Sequence, residues 1–426
     1  MPRAEAARAA PNARARGEQA APQQLPRGAR LKRFLSLADF EAAAQRHLPN
    51  PLFAYVSGAA EDNASLRDNR AAFSEFGFVT RVLRNVCART QAVTLFGRSY
   101  ASPFGISPMG ISALTAYNGD LVMARAAAAA GVPMIMSGSS LIPLEEVVSA
   151  APGIWFQAYL PGEVPKIEAL VERVDRAGVE TLVLTVDTAV LANRENNLRA
   201  GFSTPLKPSL RLAWEGLTHP RWLLGTAART LLTRGMPHFE NSYATRGAPI
   251  LSTRAVRDFG AKDHLNWEHF DLIRRRWKRT LVVKGIMSHE DARIARESGA
   301  DGIIVSNHGG RQLDGTVSPL RVLPDIVKAV GSDFPVMMDS GVRRGTDVLK
   351  VLALGAKFVF VGRPFGYAAA VAGEAGVRHA IRILSDEVQR DLGLLGLASI
   401  QELSSEQLRA LPIHANTTLD RSVRHA

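Results

Sequence analysis

Residues 301–311, Asp301-Gly302-Ile303-Ile304-Val305-Ser306-Asn307-His308-Gly309-Gly310-Arg311, join two kinds of chemistry in one short stretch. Gly302–Val305 is an apolar run of the kind that forms a strand buried on both faces of a parallel sheet. The chemistry then changes abruptly. A histidine filling a core would have apolar neighbours on both sides, but His308 sits among small polar residues and glycines, with Arg311 three positions on. A group that titrates near neutrality and a planar, bidentate anion binder are presented together on a Gly-rich turn.

The same unit recurs outward from this stretch. Short β-rich runs occupy Phe104–Gly110, Pro133–Ser137, Trp155–Tyr159, Thr181–Asp187, Thr280–Gly285, Gly302–Gly309, Pro335–Gly341 and Phe358–Pro364. Helical patterns lie between them, among them Asp120–Ala130, Pro165–Ala177, His289–Ser298 and Thr346–Leu354. These helices end at Gly131, Gly178, Gly299 and Gly355, where a left-handed residue terminates a helix at least cost. Eight strands alternating with helices predict a (β/α)8 TIM barrel. A doubly wound sheet would carry a G-x-G-x-x-G or P-loop after its first strand, and neither occurs there.

Three segments depart from the rhythm. Residues 1–33, rich in Ala, Arg, Pro and Gln without an aromatic residue, are expected to be a disordered basic tail. The barrel domain is expected over residues 34–395. It opens with a helical extension from Ser36, an N-cap before Leu37-Ala38-Asp39-Phe40-Glu41. About ninety residues separate the fourth and fifth strands, so a long insertion is placed at about 196–264. Residues 396–426 are expected to form a C-terminal helix and tail.

Charge follows these boundaries. The net charge of +12 resides in two segments: residues 1–35, with eight Lys/Arg against two Glu, and residues 201–262, with nine against three acidic residues. The balanced remainder excludes a nucleic-acid-binding core. A single cysteine, Cys87, excludes a disulfide framework or a Cys-based metal site within the chain. No apolar run reaches the ~18–20 residues that span a bilayer, and nothing resembles a secretory leader. The insertion combines its arginines with Trp214, Trp222, Leu223-Leu224 and Leu231-Leu232, which suits a helix lying on an anionic membrane; an active-site lid or an oligomer contact fits equally well.

Catalytic groups of such barrels come from the C-terminal ends of several strands. Those ends supply Pro108-Met109-Gly110, Ser137, Gln157-Ala158-Tyr159, Thr185-Val186-Asp187, Lys284-Gly285, the His308–Arg311 turn, Asp339-Ser340-Gly341-Val342-Arg343 and Gly362-Arg363. The last two are a candidate phosphate site by position and composition. Lys284 and Asp187 end apolar strands, where an unpaired charge is costly. Either they pair with each other, or they serve His308 and a cofactor, or Lys284 is a Schiff-base lysine.

Ser306-Asn307-His308-Gly309-Gly310-Arg311-Gln312-Leu313-Asp314 closely resembles the active-site motif of the FMN-dependent α-hydroxy-acid oxidase/dehydrogenase family, which includes glycolate oxidase, L-lactate dehydrogenase and mandelate dehydrogenase. The resemblance runs from about Phe40 to Gly396, through Tyr55–Asp62, Phe156–Tyr159, Thr185–Thr188, Val283–Gly285, Asp339–Gly345 and Gly362–Pro364. It implies that His308 is the general base, that Asp187 stabilises its imidazolium, and that Arg311 and Arg194 clamp a substrate carboxylate. Tyr55 and Tyr159 would bind the substrate, and Lys284 would offset charge on reduced flavin. The resemblance assigns the FMN ring to Ser137, Gln157 and Thr185, the ribityl chain to Asp339, and the phosphate to Gly341, Arg343, Gly362 and Arg363, with Pro108, Met109, Gly110 and Ser306 also binding the cofactor.

Departures bear on substrate and acceptor. Thr188-Ala189-Val190-Leu191-Ala192-Asn193-Arg194-Glu195 differs from the family's usual Thr-Pro-Arg-Leu-Gly-Arg-Arg-Glu, Ala158 replaces a common Leu, and Ser139 falls where glycolate oxidase has Trp. Gly110 matches the dehydrogenase branch, whereas oxidases more often carry Ala. The expectation is a dehydrogenase that converts L-lactate or a similar L-2-hydroxy acid to the 2-oxo acid and passes electrons to a quinone-type acceptor. It is expected to be a homotetramer, cytoplasmic or peripheral on the cytoplasmic face of the inner membrane through 201–262. The competing expectations are an oxidase that forms hydrogen peroxide and a flavin-free Schiff-base lyase.

Overall fold

The computed structural model describes residues 31–252 and 262–412. The chain divides into two compact units, residues 1–34 and 35–426. In the first, the described residues make one turn, with the Phe34 N–H donating to the Leu31 carbonyl at 3.0 Å. The expected disordered tail lies almost entirely outside the described residues.

The second unit contains eight parallel strands. They are β1 (Phe104–Ile106), β2 (Ile135–Ser137), β3 (Trp155–Tyr159), β4 (Thr181–Thr185), β5 (Thr280–Ile286), β6 (Gly302–Val305), β7 (Val336–Met338) and β8 (Phe358–Val361). Their spatial order is β1-β8-β7-β6-β5-β4-β3-β2. A parallel bridge between Ile106 and Met134 closes the ring, with the Ile106 N–H donating to the Pro133 carbonyl at 2.9 Å. This is the (β/α)8 barrel the sequence predicts.

Helices follow the strands: α1 (Gly119–Ala129), α2 (Leu144–Ala150), α3 (Val164–Arg176), α4 (Trp267–Arg276), α5 (His289–Glu297), α6 (Pro319–Val330), α7 (Gly345–Ala353) and α8 (Arg363–Leu394). Gly131, Gly178, Gly299 and Gly355 all take positive φ, from 64° to 106°, as the helix-ending reading requires. Helix α8 is kinked at Ala372–Gly373. The first helix of the unit, Leu37–His47, is capped as expected, with Asp39 Oδ2 accepting from the Ser36 N–H at 2.9 Å.

The inward side chains Ile135, Trp155, Val183, Val282, Ile304, Met337, Phe358 and Phe360 pack into one core with Leu95. Burying each contributes about 1.5–3 kcal/mol. A hairpin of Val93–Leu95 and Arg98–Tyr100 plugs the N-terminal end of the barrel. Phe96 lies 5.7 Å from Trp155, and Tyr100 lies 5.6 Å from Phe358. A Cβ at Gly302 would stand 2.9 Å from the Phe96 ring, so the plug requires glycine there. With that end sealed, the only functional face left to the strands is the C-terminal one.

Two expectations need correction. Residues 396–412, expected to begin a C-terminal helix, form two 3-10 turns and the strand Leu408–Ala410, which pairs antiparallel with Phe76–Phe78. The terminal helix is α8, already complete at Leu394. Strand β5 does not stop at Gly285 but continues to Ile286 through an irregularity between Lys284 and Ile286.

The described part of the insertion forms helices Glu195–Ala200 and Leu210–Thr218, then a continuous run Pro220–Arg234 that is π-helical over Leu223–Ala228. One face of that run is fastened to the barrel top. The Trp222 indole N–H donates to the Leu114 carbonyl at 2.7 Å, Arg234 pairs with Glu146 at 2.6 Å, and Thr226 and Thr230 are buried. The Arg229 guanidinium sits 3.9 Å above the Tyr117 ring. The opposite face exposes Leu224, Leu231 and Leu232, the last 86% accessible.

Candidate active site

A cavity of about 850 Å³ opens at the C-terminal face of the strands. The His308 turn is its centre. His308, Gly309 and Gly310 all take left-handed φ of 57°, 68° and 75°. For His308 that conformation costs about 1–2 kcal/mol. Strain of this kind persists only where surrounding contacts over-determine it, and here they do. The His308 N–H donates to Ser306 Oγ at 3.0 Å, and the Gly309 N–H donates to Ser340 Oγ at 3.0 Å. The Gly310 N–H reaches the Asn307 carbonyl at 3.0 Å, and a Cβ at Gly310 would meet Leu66 N at 2.7 Å.

The imidazole is held from behind. His308 Nδ1 lies 2.9 Å from Asp187 Oδ1, which leaves Nε2 toward the cavity and 3.4 Å from the Tyr159 hydroxyl. Asp187 is itself located by Gln312, whose Nε2 donates to the Asp187 carbonyl at 2.8 Å. Burial pushes the His308 pKa below its ordinary value; Lys284 and Arg194 push the same way, and Asp187 opposes them. Burial acts to raise the Asp187 pKa, but His308 and then Lys284 hold it below the usual carboxylate range. At neutral pH the pair is therefore a neutral imidazole on a carboxylate, an arrangement that can accept a proton at Nε2.

Beneath it lies a buried ionic floor. Lys284 Nζ donates to Ser306 Oγ at 2.7 Å and pairs with Asp339 Oδ2 at 3.1 Å. Ser107 Oγ donates to the same Asp339 oxygen at 3.1 Å. Of the alternatives for Lys284 and Asp187, direct pairing does not occur: each has a different partner. Ser306 joins the two halves of the site, receiving both the Lys284 ammonium and the His308 N–H.

The arginines divide by use. Arg311 Nη1 donates to the Tyr55 and Gly58 carbonyls, both at 2.7 Å, and its guanidinium lies 5.0 Å from the Tyr55 ring centroid. Arg343 Nη1 donates to the Val342 carbonyl at 2.9 Å. Arg363 is committed further, to the carbonyls of Val56, Gly309 and Gly58 at 2.9–3.0 Å. Arg194 faces the His308 turn, giving Nε to the Arg311 carbonyl at 3.0 Å and Nη2 to Gln312 Oε1 at 2.7 Å. Thus Arg194, Arg311 and Arg363, all expected to hold ligands, also bolt the turn in place. Burial, then Arg194, lower the Arg311 pKa to about 9, and burial, then Arg343, lower that of Arg363 to about 10. Burial likewise lowers that of Arg343.

Most of the sequence-predicted residues meet in this cavity. Tyr55, Pro108, Met109, Gly110, Tyr159 and Thr185 line it, as do Arg194, Lys284, His308 and Arg311. Asp339, Gly341, Arg343, Gly362 and Arg363 close its far side. Ser137, Gln157, Asp187 and Ser306 stand one layer behind, Ser137 Oγ donating to Gln157 Oε1 at 3.2 Å. Sequence reasoning missed the supports of the turn. Asn69 and Asn307 exchange side-chain hydrogen bonds at 2.8–2.9 Å, and Asp314 caps Ala64 and Ser65 from 250 residues away. It also missed Lys262 on the outer wall, whose only signal was its place at the end of the insertion.

The site can be tested for its fit to a flavin phosphate. Gln157 Nε2 and Thr185 Oγ1 are buried without a hydrogen-bond partner among the described residues. Such groups cost about 1–3 kcal/mol each unless a ligand satisfies them. Arg311, Arg343 and Arg363 are half-buried with no carboxylate within ion-pairing distance among the described residues. The first N–H groups of α7 are taken by Asp347 and Glu387, but Gly362 opens α8 beside those charges, so one anion-binding helix end flanks them. Donors for a polar ring edge, cations and a helix end for a phosphate, and a further arginine for a carboxylate are all present. The residues fit the group.

Comparison with known proteins gives the same answer. A family model described as FMN-dependent dehydrogenase matches residues 44–410. L-lactate dehydrogenase of Azorhizobium caulinodans is 40% identical over 378 residues, 88% of this chain and 98% of that protein. L-lactate dehydrogenase of Pseudomonas aeruginosa is 40% identical over 374 residues, 87% of this chain and 97% of that one. Among solved structures, monotopic membrane protein (S)-mandelate dehydrogenase superposes with a TM-score of 0.81 at 34% identity, covering 88% of this chain and 99% of that one. A mandelate oxidase superposes with a TM-score of 0.72 at 35% identity, covering 88% and 98%.

Proposed function

The chain belongs to the FMN-dependent dehydrogenase family, and from that premise we propose that it oxidises an L-2-hydroxy acid, L-lactate or a similar one, to the 2-oxo acid and passes the electrons to a quinone-type acceptor. The observation that carries this reading is the His308–Asp187 pair at 2.9 Å, with the half-buried Arg311 beside it. Bound FMN supplies the two-electron acceptor. Arg311 binds the substrate carboxylate through the donors not used by Tyr55 and Gly58, and Arg194 holds the turn that positions it. Tyr55 and Tyr159 orient carboxylate and hydroxyl. His308 Nε2 takes the proton, and Asp187 keeps the proton on Nδ1 and stabilises the imidazolium.

Lys284 provides a fixed positive charge on the cavity floor, set before reaction by Ser306 and Asp339. Those same two partners argue against a Schiff-base role. Gly110 is closely packed: a Cβ there would come within 2.9 Å of Ser139 Cβ and 3.3 Å of the Tyr55 hydroxyl, so alanine would disturb the substrate wall.

The exposed leucines of Pro220–Arg234, beside the basic residues of 201–262, support peripheral membrane contact, where quinones reside. Among the described residues no helix is long and apolar enough to cross a membrane. A homotetramer remains part of the proposal. The test is anaerobic mixing of the yellow protein with L-lactate and a panel of L-2-hydroxy acids, followed by a quinone analogue or by air. Bleaching with slow re-oxidation in air and fast re-oxidation by quinone is expected. Fast re-oxidation in air with peroxide formed would leave an oxidase.

A further inference from the structure

Gln312 stands next to Arg311 on the His308 turn, and its side-chain amide has a partner on either side. Nε2 donates to the Asp187 backbone carbonyl at 2.8 Å, and Oε1 accepts from Arg194 Nη2 at 2.7 Å. Those partners fix which way the amide points, because a carbonyl only accepts and a guanidinium only donates. They also lie at the two ends of one loop. Asp187 comes just after β4, and Arg194 precedes the helix Glu195–Ala200. Residues 188–193 run between them along the cavity mouth, where Val190 and Leu191 line the opening and are 68% and 72% exposed.

Each end of that loop carries part of the reacting centre. Asp187 holds His308 Nδ1 at 2.9 Å. Arg194 gives Nε to the Arg311 carbonyl at 3.0 Å, so it grips the residue that binds the substrate carboxylate. The far end is also tied down through the Asn193 carbonyl, which accepts from the Glu61 N–H at 3.0 Å. With its middle exposed, the loop takes its shape from its ends, and Gln312 bonds to both of them. We propose that Gln312 is a positioning residue for the oxidation, a clasp that locks the orienter of the base and the arginine behind the carboxylate site into one unit. The proposal rests on the assignment of His308 as the base, and adds a residue that acts through Asp187 and Arg194 instead of on the proton itself. The two bonds have separate consequences. Without the donation to Asp187, the backbone that carries the carboxylate loosens and proton transfer slows, which lowers kcat. Without the bond to Arg194, the grip on Arg311 loosens and substrate binds more weakly, which raises KM.

Steady-state kinetics of the full-length, FMN-loaded protein with a dye acceptor test this, using L-lactate and a panel of L-2-hydroxy acids across a range of pH. Gln312→Met keeps the length of the side chain and loses both bonds, so kcat should fall and KM rise, each by about tenfold. Gln312→Glu keeps an acceptor for Arg194 and loses the donor to Asp187. Its kcat should fall by about tenfold while KM stays within about threefold. The charges already acting on His308 are Asp187, Lys284 and Arg194. A carboxylate added beside them favours the imidazolium, so in Gln312→Glu the rising limb of kcat/KM should also move to higher pH. FMN content is measured on each variant. A residue that merely stabilised the fold would lower the flavin content and leave KM and the pH limb of the remaining loaded enzyme unchanged, which overturns the proposal. Unmodified kinetics in Gln312→Met overturn it too, as does a Gln312→Glu that repeats the KM of Gln312→Met with an unmoved limb. If the unmodified protein oxidises no L-2-hydroxy acid, the assignment of His308 fails and the clasp with it; normal turnover in the unmodified protein and both variants removes the clasp alone.

Discussion

The two walls of the cavity are built on different principles. The inner wall, from β4 to β7, is a closed set of polar contacts: Asp187 on His308, Ser306 on both Lys284 and the His308 N–H, and Asp339 on Lys284 and Ser107. Lys284 and Asp339 are buried, His308 and Asp187 are half-buried, and each holds another in place. The outer wall comes from an insertion of about seventy residues, fastened to the barrel at two places: by Trp222, Arg234 and two buried threonines, and by Asn241, Glu240 and Tyr243, which bond to Ile142, Leu144 and Arg173. The far face of its Pro220–Arg234 run carries exposed leucines. A rigid inner wall fixes the reaction, while a wall assembled from an insertion can change substrate and location without disturbing it.

The largest expected effect on the inner wall comes from removing the base. His308→Ala should lower kcat by about 10⁴-fold while retaining FMN, measured by turnover with a dye acceptor and by flavin absorbance. Lys284→Met should lower kcat by about 10²–10³-fold. It should also destabilise the protein by about 3–5 kcal/mol, because Asp339 is left buried without its partner. Thermal unfolding of Lys284→Met beside Lys284→Met/Asp339→Asn checks this: the double variant should regain stability but not rate.

The pH profile sharpens the comparison. His308 works deprotonated, so kcat/KM should rise with pH through the His308 pKa, which burial holds below the ordinary imidazole value. Asp187 raises that pKa, so in Asp187→Asn the rising limb should move to lower pH while kcat falls by about 10²-fold. A limb that moved upward would break the assignment of Asp187.

On the outer wall the effects should be smaller and of another kind. Deleting the whole helix would uncover Leu114 and the barrel top, so substitution of its exposed face is the cleaner experiment. Leu224→Ser/Leu231→Ser/Leu232→Ser should weaken binding to anionic vesicles by about tenfold or more. Turnover with a soluble dye should stay within about twofold. If vesicle binding is unchanged, the insertion is a lid or an oligomer contact.

The same contrast explains what was legible in the sequence. The barrel was readable because each strand is a short apolar run, each helix stops at a glycine, and the reactive residues follow strands at fixed positions. The supports of the turn were not. Asn69 meets Asn307 across 238 residues, and Phe76–Phe78 pairs with Leu408–Ala410 across most of the chain, so no local pattern announces either contact. Arg363 shows a subtler limit. A guanidinium that holds three backbone carbonyls and one that faces a phosphate have the same sequence context; only the geometry separates these uses. The helices of the insertion were suggested by Trp, Leu and Arg. Its latch through Trp222 depends on a carbonyl in another loop, which composition does not encode.

His308, held by Asp187, takes a proton from a 2-hydroxy acid bound at Arg311. Anaerobic stopped-flow mixing of the FMN-loaded protein with L- and D-2-hydroxy acids, followed at the oxidised-flavin absorbance, reads that step. Rapid bleaching is expected with the L enantiomers alone, and none on the same timescale in His308→Ala that still carries FMN. Bleaching of His308→Ala at the unmodified rate would remove His308 as the base.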